Sequence, residues 1–121
     1  MRADAEGYVA RIDAALNLVK MSLDWDRALR RLDELNAKVE DPTLWDNPKA
    51  AEEVMRERRR LDAAIATVRE IDADKAGTVE LIELAEMEGD AELGDEGAAA
   101  LKALADKSNS VRNIPKHLSE V

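Results

Sequence analysis

Apolar residues recur at alternating steps of three and four along most of this 121-residue chain. The first such run is Ala5, Val9, Ile12, Leu16, Val19 and Leu23, and the second is Trp25, Ala28, Leu32, Leu35 and Val39. This spacing places the apolar side chains on one face of an α-helix. The step from Leu23 to Trp25 breaks the phase, so we predict a bend or short break there, with Ser22 or Asp24 capping a new start.

The stretch EDPTLWDNPKAAEEV, residues 40–54, interrupts the helical pattern. Pro42 cannot continue the second helix and disfavours helical backbone in the residue before it, so that helix should end near Glu40. Asn47 is a preferred N-cap residue, and Pro48 suits the first position of the next helix. We interpret Trp45 as a plug over the open end of the helix pair, with contact to a partner as the alternative.

A long third helix should follow, continuing to about Met87 and ending at Gly89, with a kink at Gly77 as an alternative. A fourth helix is predicted from about Ala91 or Asp95 to Lys107. Residues 108–121, SNSVRNIPKHLSEV, begin with turn residues and contain a proline, so we expect an irregular tail. The expected fold is all-α: an antiparallel helical hairpin or bundle of about four helices with a long central helix.

Charge is distributed unevenly within a net charge of −9. Residues 70–96 hold eleven acids and one base, whereas residues 27–60 hold nine bases and eight acids. An acidic surface repels nucleic-acid phosphates, so any such contact would need the arginine clusters. Those clusters are Arg27, Arg30 and Arg31, and Arg56, Arg58, Arg59 and Arg60. We interpret both as solvated helix faces, with partner contact as the alternative.

Residue types that carry catalysis are scarce. The chain has no cysteine, its one histidine is His117, and no two glycines are adjacent. Carboxylate pairs such as Glu83 and Glu86 are typical of a solvated acidic helix. We therefore expect no enzyme, no metal or other cofactor and no small-molecule substrate. No segment has the length and apolarity of a membrane span or a signal peptide, which favours a cytoplasmic protein without membrane contact.

The sequence of residues 23–62 closely resembles the N-terminal region of the bacterial peptide chain release factor 2 family. It reads LDWDRALRRLDELNAKVEDPTLWDNPKAAEEVMRERRRLD. Shared features are the LDW-D start, the RLxELN helix, the LW-D/N-x-P linker and the following A…ER..L pattern. TVELIELAEMEGDAELGDEGAAALKAL is similar to the next two helices of that family around an acidic turn. The resemblance covers roughly residues 1–107 and implies a helical domain there, with 108–121 as a divergent tail.

The resemblance also implies a mechanism for a full-length factor. Such a factor reads UGA or UAA with a Ser-Pro-Phe tripeptide, and a Gly-Gly-Gln loop positions water to hydrolyse peptidyl-tRNA. The N-terminal helical domain stands apart from both and lies near the stalk base of the large ribosomal subunit. This chain has no phenylalanine and no adjacent glycines, so it contains neither motif. The decoding and catalytic residues therefore have no counterparts here.

Three functions remain as hypotheses. The first is a truncated or isolated N-terminal domain of a class I release factor that contacts the ribosome and is not catalytic by itself. The second is a free-standing helical interaction or regulatory protein that forms a homodimer. The third is an RNA-binding helix that uses the second arginine cluster. The candidate partner-contact residues are Trp45, Arg56, Arg58, Arg59 and Arg60.

Overall fold

The computed structural model describes residues 1–111, and over this range the chain is helical with short connections. The elements are α1 (Ala3–Leu23), α2 (Trp25–Val39), a short 3-10 helix (Pro42–Asp46), α3 (Pro48–Glu88) and α4 (Ala91–Val111). The predicted all-α fold with a long central helix is confirmed. The helix boundaries around the two prolines also match the prediction to within one residue.

Helix α3 is the central helix, and α1, α2 and α4 all contact it. Helices α1 and α2 lie one after the other along it in the opposite direction, as two contacts show: Lys75 Nζ lies 2.6 Å from Asp13, and Arg31 Nε lies 2.7 Å from Glu57. Helix α4 turns back along the second half of α3 and lies beside α1. The molecule thus has a three-helix bundle at one end (α1, the second half of α3, and α4). At the other end is a two-helix hairpin (α2 and the first half of α3).

The main hydrophobic core lies in the three-helix bundle. Its buried residues are aliphatic and come from all three helices: Ala5, Ile12, Leu16, Val19, Val68, Ile71, Ile82, Leu101, Leu104 and Ala105. The hairpin buries a smaller set between two helices, including Ala28, Leu35, Ala51 and Ile65. A core of this kind needs no aromatic side chain, because Ala, Val, Leu and Ile interdigitate closely at helix interfaces. The larger buried cluster makes the bundle the better-packed end.

The predicted break between the first two helices lies at Asp24. This residue has left-handed backbone geometry (φ 54°), and its N–H donates to the carbonyls of Lys20 and Met21 at the end of α1. Its own carbonyl accepts from the N–H of Ala28 at 2.8 Å, in the first turn of α2. Asp24 thus occupies the N-cap position of α2, as one of the two predicted alternatives had it, but its side chain makes no capping hydrogen bond, and Ser22 lies within α1. Aspartate tolerates left-handed geometry better than most residues.

The turn from α3 to α4 is formed by Gly89, whose φ of 67° permits the left-handed cap that ends α3. Helix α3 runs without interruption through Gly77, as the continuous helix in the prediction requires.

Helix α4 starts at Ala91 and continues to Val111, four residues beyond the predicted end at Lys107. Residues 108–111 are therefore helical, not part of an irregular tail. The serines that suggested a turn bond to their own helix instead: Ser108 Oγ donates to the carbonyl of Ala105 at 2.8 Å, and Ser110 Oγ donates to that of Lys107 at 2.9 Å. Serine hydroxyls inside helices commonly donate in this way to a carbonyl three or four residues earlier. The rest of the predicted tail lies outside the described residues.

Candidate partner-contact site

The corner between α2 and α3 is fixed by local hydrogen bonds. The Asp41 carboxylate accepts from the N–H of Thr43 at 2.9 Å and from its hydroxyl at 2.8 Å. These bonds favour the ionised form and lower the pKa of Asp41. The Asn47 side chain accepts from the N–H of Ala50 at 3.2 Å, which caps α3 as the sequence predicted. The corner therefore presents the residues between its two caps in one defined conformation.

Trp45 lies in this corner with 53% of its surface exposed. The interpretation of Trp45 as a plug is therefore wrong, because a plug would be covered by the two helices it closes. The neighbouring Leu44 is the partly buried residue of the corner. A large, half-exposed indole held on a well-defined turn provides apolar area and an N–H donor for a partner at little cost in side-chain entropy.

The second arginine cluster does not form one continuous patch. Arg56 is exposed and pairs with Glu52 at 2.7 Å, the i,i+4 contact that the sequence predicted. Arg58 is partly buried, and its Nε donates to Asn36 Oδ1 of α2 at 2.7 Å. Arg59 is exposed, whereas Arg60 is partly buried. The cluster thus divides into a residue that holds the hairpin together, Arg58, and residues that remain accessible.

Arg31 of α2 contacts carboxylates on both helices of the hairpin. Its Nε and Nη2 donate to the two carboxylate oxygens of Glu57 at 2.7 and 2.8 Å, and its Nη1 donates to Glu34 at 3.0 Å. The paired guanidinium lowers the pKa of Glu57, and the two carboxylates raise the pKa of Arg31. The sequence analysis missed this role because the partners are far apart in the chain and belong to different helices. The opposite charges at facing positions of an antiparallel pair were the available signal.

Within residues 1–111, ion pairs occupy Arg31 and Arg56, whereas none forms at Arg27, Arg30 or Arg59. These exposed guanidinium groups lie on the same hairpin as Trp45. Exposed arginine suits phosphate and carboxylate partners because its planar donors bind two oxygens at once, and it also stacks on flat rings. The hairpin end therefore combines an aromatic side chain with cationic donors, while the bundle end is acidic.

The other tryptophan, Trp25, has a different environment. It is partly buried and packs against the core of the bundle, as expected for an anchor on an apolar stripe. Lys20 Nζ lies 5.4 Å and Arg69 Cζ 6.0 Å from the centre of its ring, within the range of cation–π contacts. Trp25 therefore stabilises the junction of α1 and α2 and leaves Trp45 as the accessible indole.

In the described part of the chain, no three His, Asp or Glu side chains converge in a way that could hold a metal ion. Across the same residues, no helix combines the length and the apolarity needed to cross a membrane.

Comparison with known proteins adds a family match that includes the corner and the hairpin. Residues 28–120 match the model of the PCRF domain, so the matched region continues thirteen residues beyond the predicted boundary at Lys107. The chain is 46% identical over 108 residues to peptide chain release factor 2 of Ruegeria sp. (strain TM1040), which covers 89% of this chain and 29% of the relative.

Two further relatives carry the same name. The chain is 48% identical over 104 residues to the protein from Roseobacter denitrificans, covering 86% of this chain and 28% of the relative. It is 51% identical over 85 residues to the protein from Caulobacter sp. (strain K31), covering 70% of this chain and 23% of the relative. The chain thus spans less than a third of the length of these curated relatives.

Proposed function

Because the chain belongs to the PCRF domain family, we propose that it is a helical, ribosome-contacting module of translation termination that is not catalytic by itself. One observation carries the proposal: identity of 46% to a peptide chain release factor 2 extends over 89% of the chain. The matched region is less than a third of the relative, and the described part of the chain offers helices rather than a reaction centre. The proposal implies action in the cytoplasm, where ribosomes terminate translation.

The hairpin end is the proposed contact surface. It carries Trp45 on a well-defined corner and exposed guanidinium groups, of which Arg56 and Arg59 belong to the predicted set. Arg58 and Arg60 are partly buried and contribute the exposed part of their side chains to this surface. Arg58 also joins α3 to α2 through its hydrogen bond to Asn36. The acidic bundle end would be repelled by ribosomal RNA, so it should point away from it. The resemblance to the family supports a position near the stalk base of the large subunit.

Co-sedimentation with 70S ribosomes tests the proposed contact. We expect the chain to pellet with ribosomes, and the double variant Trp45→Ala with Arg59→Gln to pellet at least about fivefold less. A matched control, Met21→Ala with Lys102→Gln, removes an exposed apolar residue and an exposed base from the bundle and should bind like the parent. Equal binding by both variants would refute the assignment of the surface.

A termination assay with added full-length release factor tests the functional part of the proposal. Competition or stimulation by the chain supports action on the termination complex, whereas no effect at saturating ribosome binding contradicts it. The chain alone should release no peptide from peptidyl-tRNA. Release by the chain alone would contradict the non-catalytic assignment directly.

RNA binding through the arginine residues is an alternative mode of the same contact. Each phosphate contact releases counterions, so RNA binding weakens steeply as salt increases. Measuring ribosome binding over a series of salt concentrations separates the two modes. A steep loss favours phosphate contacts, whereas a flat response favours a protein surface that accepts Trp45.

A homodimer is the second candidate, and the outer face of α1 favours it. This face exposes Leu18 (50%) and Met21 (78%), with Ala14 and Ala10 one and two turns before Leu18. An isologous contact through α1 would keep the two acidic ends from facing each other. Sedimentation equilibrium at about 100 µM should then show a dimer that Met21→Glu disrupts. A monomer at that concentration would exclude this role.

A further inference from the structure

The outward face of α3 near its C-terminal end exposes three large apolar side chains. Leu81 is 38%, Leu84 46% and Met87 85% exposed. They are spaced by three residues, so they lie on successive turns along one side of the helix. None belongs to the proposed contact surface at the hairpin. Apolar side chains grouped in this way are typical of interaction surfaces, whereas single exposed ones are common on any protein.

A shallow groove between α3 and α4 adjoins these residues. Its wall on α3 includes Ala73 and Gly77, and its wall on α4 includes Ala100 and Ala103. Gly77 lies one turn before Leu81, so the groove and the exposed apolar residues form one continuous track. Helix α1 contributes no residue to this groove. The small side chains let another helix approach the α3–α4 pair closely.

Acidic side chains predominate around the track, and Lys107 on the α4 wall is the base among the residues that line the groove. Residues 76–101 contain eight acids and no base. Within the described residues, Glu86 pairs with the N-terminal amine at 3.5 Å and Asp95 pairs with Arg2. Glu80, Glu83 and Glu88 are exposed beside the apolar residues and form no ion pair in residues 1–111. An apolar track bordered by unpaired carboxylates is complementary to a helix with one apolar face and basic flanks.

We propose that this outer face of α3, from Gly77 to Met87 and including the groove toward α4, binds a basic amphipathic helix of a partner protein. Apolar side chains of the partner occupy the groove and cover Leu81, Leu84 and Met87. Lysine or arginine residues on its flanks face Glu80, Glu83 and Glu88. The contact is a helix-in-groove mode in which apolar anchors supply affinity and the flanking charges supply orientation.

Charge decides between this occupant and others. A second copy of the chain would bring Glu80, Glu83 and Glu88 against their own counterparts, and like charges at an interface are strongly unfavourable. Nucleic acid would be repelled for the same reason. The track from Gly77 to Met87 extends over eleven residues, or about 15 Å, which matches roughly three turns of a partner helix.

The site is separate from the proposed ribosome contact. Leu81 lies 33 residues along α3 from Pro48, which corresponds to about 50 Å of helix. A partner bound to the track therefore leaves Trp45 accessible. Failure of the experiment below would leave the hairpin assignment intact, and failure of the ribosome experiment would leave this proposal intact.

Fluorescence anisotropy with a labelled synthetic helix of about 20 residues, built only from leucine and lysine with one apolar face, tests the proposal on the full chain. The control peptide has the same leucines and glutamate in place of lysine. We expect the basic peptide to bind and the acidic one to bind at least about tenfold more weakly. Equal binding of the two peptides would overturn the proposal.

Variants then locate the site. Leu84→Gln with Met87→Gln should weaken binding of the basic peptide about tenfold or more, whereas Leu18→Gln with Met21→Gln on α1 should leave it within about twofold. Replacing Glu80, Glu83 and Glu88 by Gln should also weaken binding, unlike the matched change of Asp26, Asp33 and Glu70 to their amides. Because 85% of Met87 is exposed, Met87→Gln alone serves as the variant that leaves the buried core unchanged.

Chemical-shift mapping gives an independent result. Amides of residues 77–88 and the facing part of α4 should shift on titration with the basic peptide. Shifts concentrated elsewhere, or equal losses of affinity in site and control variants, would show general attraction to an acidic protein and overturn the proposal.

Discussion

Gly77 and Gly97 both lie inside helices, yet their surroundings differ. A methyl group at Gly97 would lie 2.5 Å from Cγ1 of the buried Ile82, because α4 crosses α3 closely at that point. At Gly77 nothing lies within 4 Å of the same position. Gly97 is therefore required by packing, whereas Gly77 only reduces the stability of the helix that contains it.

We therefore predict opposite effects for the same substitution. Gly97→Ala should lower the free energy of unfolding by about 1–2 kcal/mol, since the overlap with Ile82 outweighs the gain in helix propensity. Gly77→Ala should raise it by about 0.5–1 kcal/mol. Urea unfolding followed by tryptophan fluorescence measures both. A change of the same sign in the two variants would contradict the close approach of α4 to α3.

The Arg31–Glu57 contact predicts a dependence of stability on pH. Arg31 lowers the pKa of Glu57 in the folded protein below its ordinary value of 4.5. The contact thus contributes fully above pH 4.5, and its contribution is lost as pH falls through the lowered pKa. Because both side chains are about two-fifths exposed, Arg31→Met should cost only about 0.5–1 kcal/mol at neutral pH.

The test compares unfolding free energies of the parent and Arg31→Met between pH 7 and pH 3. The difference should shrink as the solution becomes acidic. Arg27→Met, at an exposed arginine of the same helix, is the control and should show a small difference that does not vary with pH. A pH-independent difference for Arg31→Met would rule out the ionic contribution.

Single residues also show what sequence reasoning could and could not predict. The caps at Asn47 and Gly89 follow from local backbone geometry, so they were predictable. The exposure of Trp45 was not, because burial depends on which helices pack over the corner. The division of the arginine cluster, with Arg58 turned toward Asn36, depends on the rotation of α3 relative to α2, which no local rule fixes.

At the scale of elements, the breaks between helices arise from different causes. Pro42 and the Asn47–Pro48 pair force the corner through missing donors and fixed φ angles, so the sequence predicted it directly. The break at Asp24 arises from a change in the phase of the apolar stripe, and its left-handed geometry was not predictable. The end of α4 was misplaced because Ser108 and Ser110 bond to carbonyls of their own helix.

The Asn47 cap can be tested in isolation. Asn47→Ala removes the acceptor for the N–H of Ala50 and should cost about 1 kcal/mol of stability. Asn17→Ala, at an exposed position within α1, lacks any such bond in the described residues and should be neutral or slightly stabilising. Thermal unfolding followed by circular dichroism compares the two. Equal effects would mean that the cap does not hold the corner.

At the scale of the whole molecule, the two ends differ in how much they bury. The bundle holds a continuous core from three helices, whereas the hairpin relies on the contact of two helices, Arg31–Glu57 and Arg58–Asn36. Local stability follows buried apolar contact, so the hairpin should open more easily than the bundle.

Native-state hydrogen exchange measures that difference. Amides of α2 and of the first half of α3 should exchange through a smaller opening free energy than those around Ile71, Ile82 and Leu101. As the urea concentration increases, the opening free energies of the hairpin amides and the bundle amides should become equal only near global unfolding. A single opening free energy for all helices would show that the hairpin and the bundle unfold as one unit.

Helix α3 passes through both ends without a proline inside it, and it is 41 residues long. A helix of this length extends for about 60 Å, and its first half projects from the bundle to the corner that carries Trp45. The arm from the bundle to the corner is about half of that length, ~30 Å, so a rotation of about 5° at the bundle moves Trp45 by about 2–3 Å, roughly half a turn of helix. Small changes in the packing angle of α3 against α1 and α4 thus produce larger displacements of the corner. Packing in the bundle and the position of Trp45 are therefore linked through α3.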